Sequence, residues 1–423
     1  METVKTTQYK KGKWSQFLKM LGPGLLFAGS AVGVSHLVQA TQAGANYGYG
    51  LLWLVILIHF VKYPFFEFGP RYAAATGEDL ITGYKKLGRW VLILFAVITV
   101  LTMFIIQAVV TIVTASLAVN IFGVFENPVI WAGILLIVCT AILIIGKYKL
   151  LDNLIKIVII VLTVSTLLAV ILAFANDNIS SPPMTFYFPI KGVGLAFLIA
   201  LMGWMPAPLD LSVWHSIWAK EKQKTTVEDF DLKHALKDFR IGYFGTIILA
   251  VFFLALGALV MFDSGEEFSA SGAGFAAQLI QMYVTALGDW AKWLIALAAF
   301  TTMFSTTLTC LDALSRTMSR TTTLLQNKAE EPKSYYWFWI ILLIIGAMII
   351  LSFFMQSMKQ LVLVATILSF LTTPFFAVAN YVLITGKNVP EAAKPKQTLR
   401  IWALFGIVFL IGFSLLYVFT TFL

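Results

Sequence analysis

The 423-residue chain is poor in charge: only 12% of its residues are Asp, Glu, Lys or Arg, about half the share usual in soluble globular proteins. Hydrophobic residues make up 59% and the mean hydropathy is +0.87. A soluble helical domain is excluded, because its helices would carry an apolar stripe rather than unbroken apolar blocks. Cysteine is nearly absent. Cys139 and Cys310 both sit inside apolar blocks, which excludes a disulfide framework and a zinc site. The block from Val91 to Val119 lacks any Asp or Glu. No loop is long enough for a soluble domain, the longest running over 219–240 and 263–288. The loops hold no nucleophile–base pair, P-loop or metal-protease motif, and no resident cofactor is expected. An enzyme and a nucleotide-driven pump are both disfavoured.

What the chain does have is long apolar runs. A spanning helix needs about 20 mostly apolar residues, and eleven such helices are expected at roughly 21–42, 47–75, 89–120, 128–146, 154–175, 193–218, 241–263, 288–317, 336–355, 360–386 and 399–422. The net charge of +9 does not indicate nucleic acid, because the Lys and Arg residues occupy short loops between the apolar blocks. Alternate loops, starting with the N-terminal lysines (Lys5, Lys10, Lys11, Lys13, Lys19), collect 26 of the 30 basic residues. The other side has only Lys191, Lys292 and Lys359, beside the acidic Asp263, Glu266, Glu267 and Asp289. By the positive-inside rule the N-terminus is expected in the cytoplasm and the C-terminus outside a plasma (inner) membrane. The lipid bilayer is the expected partner. The first apolar block reads as a retained helix rather than a signal peptide. The triplet Asn178-Ile179-Ser180 falls on the external side and reads as a chance glycosylation match.

Spans 1 and 6 look broken. The first runs Gly22-Pro23-Gly24 and then Gly29-Ser30-Ala31-Val32-Gly33-Val34-Ser35-His36; the sixth contains Gly203-Trp204-Met205-Pro206-Ala207-Pro208-Leu209-Asp210. Proline lacks an amide hydrogen, and unpaired backbone inside a bilayer is tolerated only against protein or a water-filled cavity. Kinks and close-packing sites also use glycine and proline. Two breaks five spans apart point instead to a midplane transport site in an inverted-repeat transporter.

At these residues the sequence resembles the Nramp family of proton-coupled divalent-metal transporters. Gly22-Pro23-Gly24 followed by Gln42-Ala43-Gly44-Ala45 is similar to the family's first helix. Leu51-Leu52-Trp53, Arg71 and Thr76-Gly77-Glu78-Asp79-Leu80 resemble its second helix and the loop after it, and Met205-Pro206 resembles the start of its Met-Pro-His-Asn motif. The resemblance implies an all-α membrane fold of about 11 spanning helices, a LeuT-type 5+5 inverted repeat with broken helices 1 and 6. On that reading residues 1–423 are one transporter domain, with repeats near 21–175 and 193–386 and an extra helix at 399–422.

The chemistry-bearing positions depart from the family pattern. Where the family has Asp-Pro-Gly-Asn this chain has Gly33-Val34-Ser35-His36, and where it has His-Asn this chain has Ala207-Pro208. The family's metal-contacting alanine falls on Met202, and only Met205 is kept. A divalent ion ~4 Å from a carboxylate at an effective dielectric of ~20 gains roughly 8 kcal/mol before desolvation, so the loss of that carboxylate is a large change. Two replacements present themselves: a softer set of His36, Met202 and Met205, with His36 and Met205 as metal ligands, or the carboxylate of Asp210.

The expected substrate-binding residues are therefore Gly33, Ser35, His36, Met202, Met205 and Asp210. Ionisable groups inside spans are functional by default, and His59, Lys62 and Asp312 are the expected coupling residues. Lys62 is expected either to pair with Asp210 or Asp312 as a fixed internal cation, or to serve as scaffold with Glu67. Glu67 with Arg71 and Asp312 with Arg316, each four apart, read as structural pairs. Ser305, Thr306, Thr307 and Thr309 line a path or bond back to their own helix. The expected function is alternating-access transport of a metal ion with a proton as coupling ion. Competing readings are a transporter of a small organic solute such as an amino acid, and a non-transporting sensor or partner subunit.

Overall fold

The computed structural model describes residues 22–146, 148–176, 181–225, 231–262, 264, 268–353 and 357–422, and among them no strand occurs. The N-terminal lysines, Lys147, the Asn178-Ile179-Ser180 triplet and the acidic Asp263, Glu266 and Glu267 lie outside the described residues.

The spans follow the expected order. Span 1 is α1 (Pro23–Ala31), a π-helical stretch Ser35–Ala40 and α2 (Thr41–Tyr47). Span 2 is α3 (Leu52–Thr76), followed by the short α4 (Leu80–Leu87). Spans 3 to 5 are α5 (Arg89–Phe122), α6 (Pro128–Ile145) and α7 (Tyr148–Phe174). Span 6 is split into α8 (Gly192–Trp204) and α9 (Leu211–Thr225). Next come α10 (Leu232–Val260), α11 (Gly272–Leu287), α12 (Ala291–Leu325), α13 (Lys333–Phe353), α14 (Met358–Thr385) and α15 (Gln397–Phe422).

Eight of these (α3, α5, α6, α10, α12, α13, α14 and α15) are long and apolar enough to cross a membrane, and α1 with α2, bent by 45° at their break, makes a ninth. The long α7 and the split α8/α9 occupy the other two expected positions. Two helices were not anticipated. In α4 one side buries Leu80, Ile81 and Tyr84, and α11 fills the loop expected after span 7. Both are too short to register as apolar blocks. Span 7 also begins earlier than expected, at Leu232 rather than 241, because the Asp231 carboxylate caps the helix by accepting from His234 N at 2.9 Å.

Packing repeats between the two halves. Span 1 lies along α10 (span 7), and α9 of span 6 lies along α3 (span 2). Span 3 (α5) packs on α14 (span 10), while span 8 (α12) packs on α7 (span 5). This is the pairing that two repeats of five helices require, and α5 against α12 joins the halves at the centre.

Small residues make these pairings possible, because backbones approach closely where glycine faces glycine. A Cβ at Gly24 would lie 2.1 Å from the Asp238 carbonyl oxygen, and one at Gly242 would lie 2.1 Å from that of Gly24. At the other interface a Cβ at Gly69 would meet the Ser212 carbonyl at 2.4 Å, which sets α3 directly against the start of α9. The Asp238 carboxylate then accepts from the otherwise unpaired Gly24 N at 2.7 Å and Gly22 N at 3.1 Å, tying the first turn of α1 to α10.

Gly24→Val is expected to force α1 off α10 and destabilise the protein by about 1–3 kcal/mol or more. Gly245→Ala, on the same α10 with open space beside it, should leave the thermal midpoint in detergent unchanged. Equal midpoints for the two variants would refute the close-packing account.

Candidate functional site

Span 1 breaks at Val32–Val34 without a proline. Hydroxyls satisfy the carbonyls that lose their helical partners. Ser35 Oγ donates to Ala31 O at 2.7 Å, and Thr306 Oγ1 reaches Gly29 O at 3.3 Å from α12. Beyond the break the chain resumes as a π-helix, a rare form found mostly at functional sites.

Span 6 breaks because Pro206 and Pro208 supply no N–H. Around the break, side-chain donors reach the carbonyls of Gly203, Pro206 and Ala207. Lys62 Nζ, on α3, donates to Gly203 O at 2.8 Å and to Ala207 O at 3.1 Å. Pro206 O lies 3.2 Å from Ser35 Oγ, which brings the two breaks into direct contact. Asn380 on α14 donates to Ser212 Oγ at 3.0 Å and accepts from Tyr84 Oη at 2.6 Å, holding the first turn of α9.

A cavity of ≈ 30 Å³ lies between the breaks, walled by Ser30, Ser35, Trp204, Asp210, Thr306 and Cys310 together with apolar residues of α1 and α5. That is room for roughly two waters or one ion. A second cavity of ≈ 10 Å³ lies on the far side of the span-6 break, between Thr102, Asp210, Ser369 and Thr372. Asp210 lines both, and its Oδ1 has no hydrogen-bond partner among the described residues.

The expected site residues separate into two groups. Ser35 and Asp210 face the main cavity. Gly33 sits in the span-1 break, where a Cβ would meet the Thr306 side chain at 3.1 Å. Met202 and Met205 are fully buried and are not among the cavity-lining residues. His36 is also fully buried and outside the cavity wall, with both ring nitrogens engaged: one lies 2.7 Å from Ser35 Oγ and the other 3.0 Å from Thr246 O. Among the described residues no group of three His, Cys, Asp or Glu is placed to hold a metal ion.

The ionisable groups expected to couple are placed as follows. Lys62 is fully buried and meets backbone carbonyls, and no ion pair with Asp210, Asp312 or Glu67 is formed among the described residues. The lysine stem instead ends where the span-6 break supplies bare acceptors. Asp312 is taken by Arg316, with both carboxylate oxygens 2.8 Å from Nε, and by Tyr336 Oη at 2.5 Å. Glu67 accepts from Arg71 at 2.6 Å and from Tyr63 Oη at 2.6 Å. Tyr336 ties Asp312 of α12 to α13, whereas the Glu67 contacts with Arg71 and Tyr63 lie within α3, which Arg240 of α10 approaches at 3.6 Å from Glu67. His59 packs one turn from Lys62, with Nδ1 2.6 Å from Val55 O. Of the polar stretch on α12, Thr306 lines the cavity whereas Thr309 bonds back to Ser305 O at 2.8 Å.

Cys310, Trp214 and Ser369 line the two cavities without having been expected there. Cys310 lies one turn from Thr306, and that spacing along α12 is the signal that could have found it. Trp204, at the end of α8, donates from Nε1 to Ser369 Oγ on α14 at 2.7 Å.

At the basic end of the bundle, Asp79 ties three elements together. Its carboxylate is 2.6 Å from Lys220 Nζ on α9 and 3.6 Å from Arg320 on α12, and it caps α4 by accepting from Thr82 N at 2.8 Å. Burial opposes ionisation of Asp79, but Lys220, Arg320 and Thr82 outweigh it and hold the carboxyl below the ordinary aspartate range.

The family profile described as "Natural resistance-associated macrophage protein-like" matches residues 24–420. An uncharacterized protein of Pasteurella multocida is 38% identical over 420 residues, covering 98% of this chain and 95% of its own length. Metal transporter Nramp6.2 of Populus trichocarpa is 32% identical over 146 residues, 34% of this chain and 25% of that protein. Among solved structures, a histidine-to-alanine mutant of the Eremococcus coleocola manganese transporter superposes with a TM-score of 0.75 at 15% identity, over 98% of this chain and 89% of that one. MhsT in complex with L-phenylalanine superposes at 0.64 with 12% identity, over 94% and 98%. At such identities the structural likeness shows the fold alone, which is that of LeuT-type transporters.

Because its folded pKa is depressed, Asp79 contributes stability that is complete above the unfolded aspartate value and is lost as pH falls through that value towards the folded one. The thermal midpoint should therefore drop on acidification below about pH 4, and Asp79→Asn should flatten that limb while lowering the midpoint at neutral pH. An unchanged acid limb in Asp79→Asn would remove this ion-pair cluster as its source.

Proposed function

Since the chain belongs to the Nramp family, a family of metal-ion transporters, we propose that it carries a metal ion by alternating access through the cavity between its two breaks. It is a transporter and an integral membrane protein, not an enzyme. The observation that carries the reading is Asp210, a carboxylate at the span-6 break that faces both cavities and leaves Oδ1 unpartnered among the described residues. It takes over the charge that Gly33 no longer provides. The Cys310 thiol and the hydroxyls of Ser35 and Thr306 complete the polar wall. One hard oxygen anion and one soft sulfur suit a borderline first-row ion better than Mg²⁺.

A proton is the coupling ion in this reading, supported by the buried titratable groups His36, His59 and Asp210 around the breaks. No resident cofactor is required. A second reading, carriage of a small organic solute such as an amino acid, draws on Trp204 and Trp214 in the cavity wall and on the Lys62 amine, which already occupies the break.

The purified protein in proteoliposomes should take up Mn²⁺ or Cd²⁺ when the outside is made acid. Asp210→Asn should reduce uptake by more than about 100-fold, as expected for loss of the ionic ligand. Amino-acid uptake in the absence of metal flux would replace the metal reading with the second one, and neither flux would end both.

We also assign the N-terminus and the basic loops to the cytoplasm of the plasma (inner) membrane, on the segregation of 26 of the 30 Lys and Arg residues to one side. A C-terminal epitope tag should then be stained in intact cells. Staining only after permeabilisation would reverse the orientation.

A further inference from the structure

In transporters with discontinuous helices, unwound carbonyls and half-helix C-terminal ends commonly coordinate a co-transported cation. Such a seat exists here, at the C-terminal end of α8. Gly203 O belongs to the last turn of α8, Ala207 O belongs to the unwound segment, and the negative end of the helix dipole points at both. Backbone carbonyls buried at this depth require a donor or a cation.

The occupant is the side chain of Lys62. It is fully buried, and Nζ is 2.8 Å from Gly203 O and 3.1 Å from Ala207 O. The approach is built into the packing. Gly69 lets α3 lie directly against the start of α9, and the four-carbon stem reaches the break from two turns earlier on α3. No acidic group lies within ion-pair distance of this amine among the described residues: Glu67 is held by Arg71 and Tyr63 and Asp312 by Arg316 and Tyr336, while Asp210 attracts it only from farther away.

We propose that Lys62 is a tethered cation that permanently fills the carbonyl seat at the span-6 break, doing from within the protein what a bound monovalent cation would otherwise do. The seat takes no free Na⁺ or K⁺ while Lys62 is present. The amine stays at the span-6 break, next to the cavity that Asp210 lines, through the cycle. This rests on the transport reading for its consequence in the cycle, but occupancy of the seat is measurable on the purified protein without any cargo.

The test is thermal unfolding of the full chain in detergent at constant ionic strength, with Na⁺, K⁺, NH₄⁺ or methylammonium exchanged for N-methyl-D-glucamine. The wild-type midpoint should be indifferent to the exchange. Lys62→Ala, which vacates the seat, should have a lower midpoint that Na⁺ or a small ammonium ion restores saturably. Lys62→Met, which keeps the stem and removes the charge, should be destabilised without being restored. In proteoliposomes Lys62→Met should slow Mn²⁺ uptake roughly 10- to 100-fold, the loss expected for one charged hydrogen bond.

Saturable stabilisation of the wild type by Na⁺ would overturn the proposal, because the seat would then be open. So would a well-folded Lys62→Ala that no small cation restores, or one as stable as wild type without any. The wild-type arm stands even if no variant folds. Absence of Mn²⁺ flux in wild type would count against the metal cargo and leave the seat measurement intact.

Discussion

Two helices stop in the middle of this bundle, and everything near them is arranged around the carbonyls they leave behind. In hydrocarbon an unpaired backbone group costs several kcal/mol, so each break needs side-chain donors. Span 1 receives them from hydroxyls: Ser35 covers Ala31 O and Thr306 covers Gly29 O. Span 6 receives an amine, Lys62, at Gly203 O and Ala207 O. The two solutions meet at Ser35 and Pro206, where the breaks touch and the cavity begins.

This arrangement explains why departure from the family pattern does not collapse the fold. The family's carboxylate in span 1 is replaced by Gly33 and its amide by His36, and His36 turns away from the cavity to bond Ser35 and Thr246. The acidic residue in the cavity wall is Asp210, in span 6. The scaffold rests on other contacts: those of the glycines between α1 and α10 and between α3 and α9 hold the two halves in register, whichever side chains the breaks present. Fold and site chemistry are separable, and membership of a transporter family fixes the first more firmly than the second.

Away from the centre, charged groups serve to join helices. Glu67 with Arg240, Asp312 with Tyr336, and Asp79 with Lys220 and Arg320 each link separate helices. The Asp79 cluster connects the loop before α4 to α9 and α12 at the basic end. Movement of α9 relative to α12 during a transport cycle would have to strain or break it.

The number and order of the spans, the two breaks and the segregation of basic residues were legible in the sequence, because bilayer thickness and backbone chemistry act on composition and on proline and glycine directly. The pairs Glu67–Arg71 and Asp312–Arg316 were legible too, since four residues along a helix bring side chains together without help from the rest of the fold. What reaches the cavity was decided only by tertiary structure. The position of His36 in a break gave no indication that Thr246 would claim its ring, Cys310 looked like one more apolar-block residue, and Lys62 was expected at a carboxylate but met carbonyls. Direction and partner for a buried polar side chain depend on which neighbouring helix leaves its backbone unpaired at the same depth, and that is settled by packing between segments far apart in the chain.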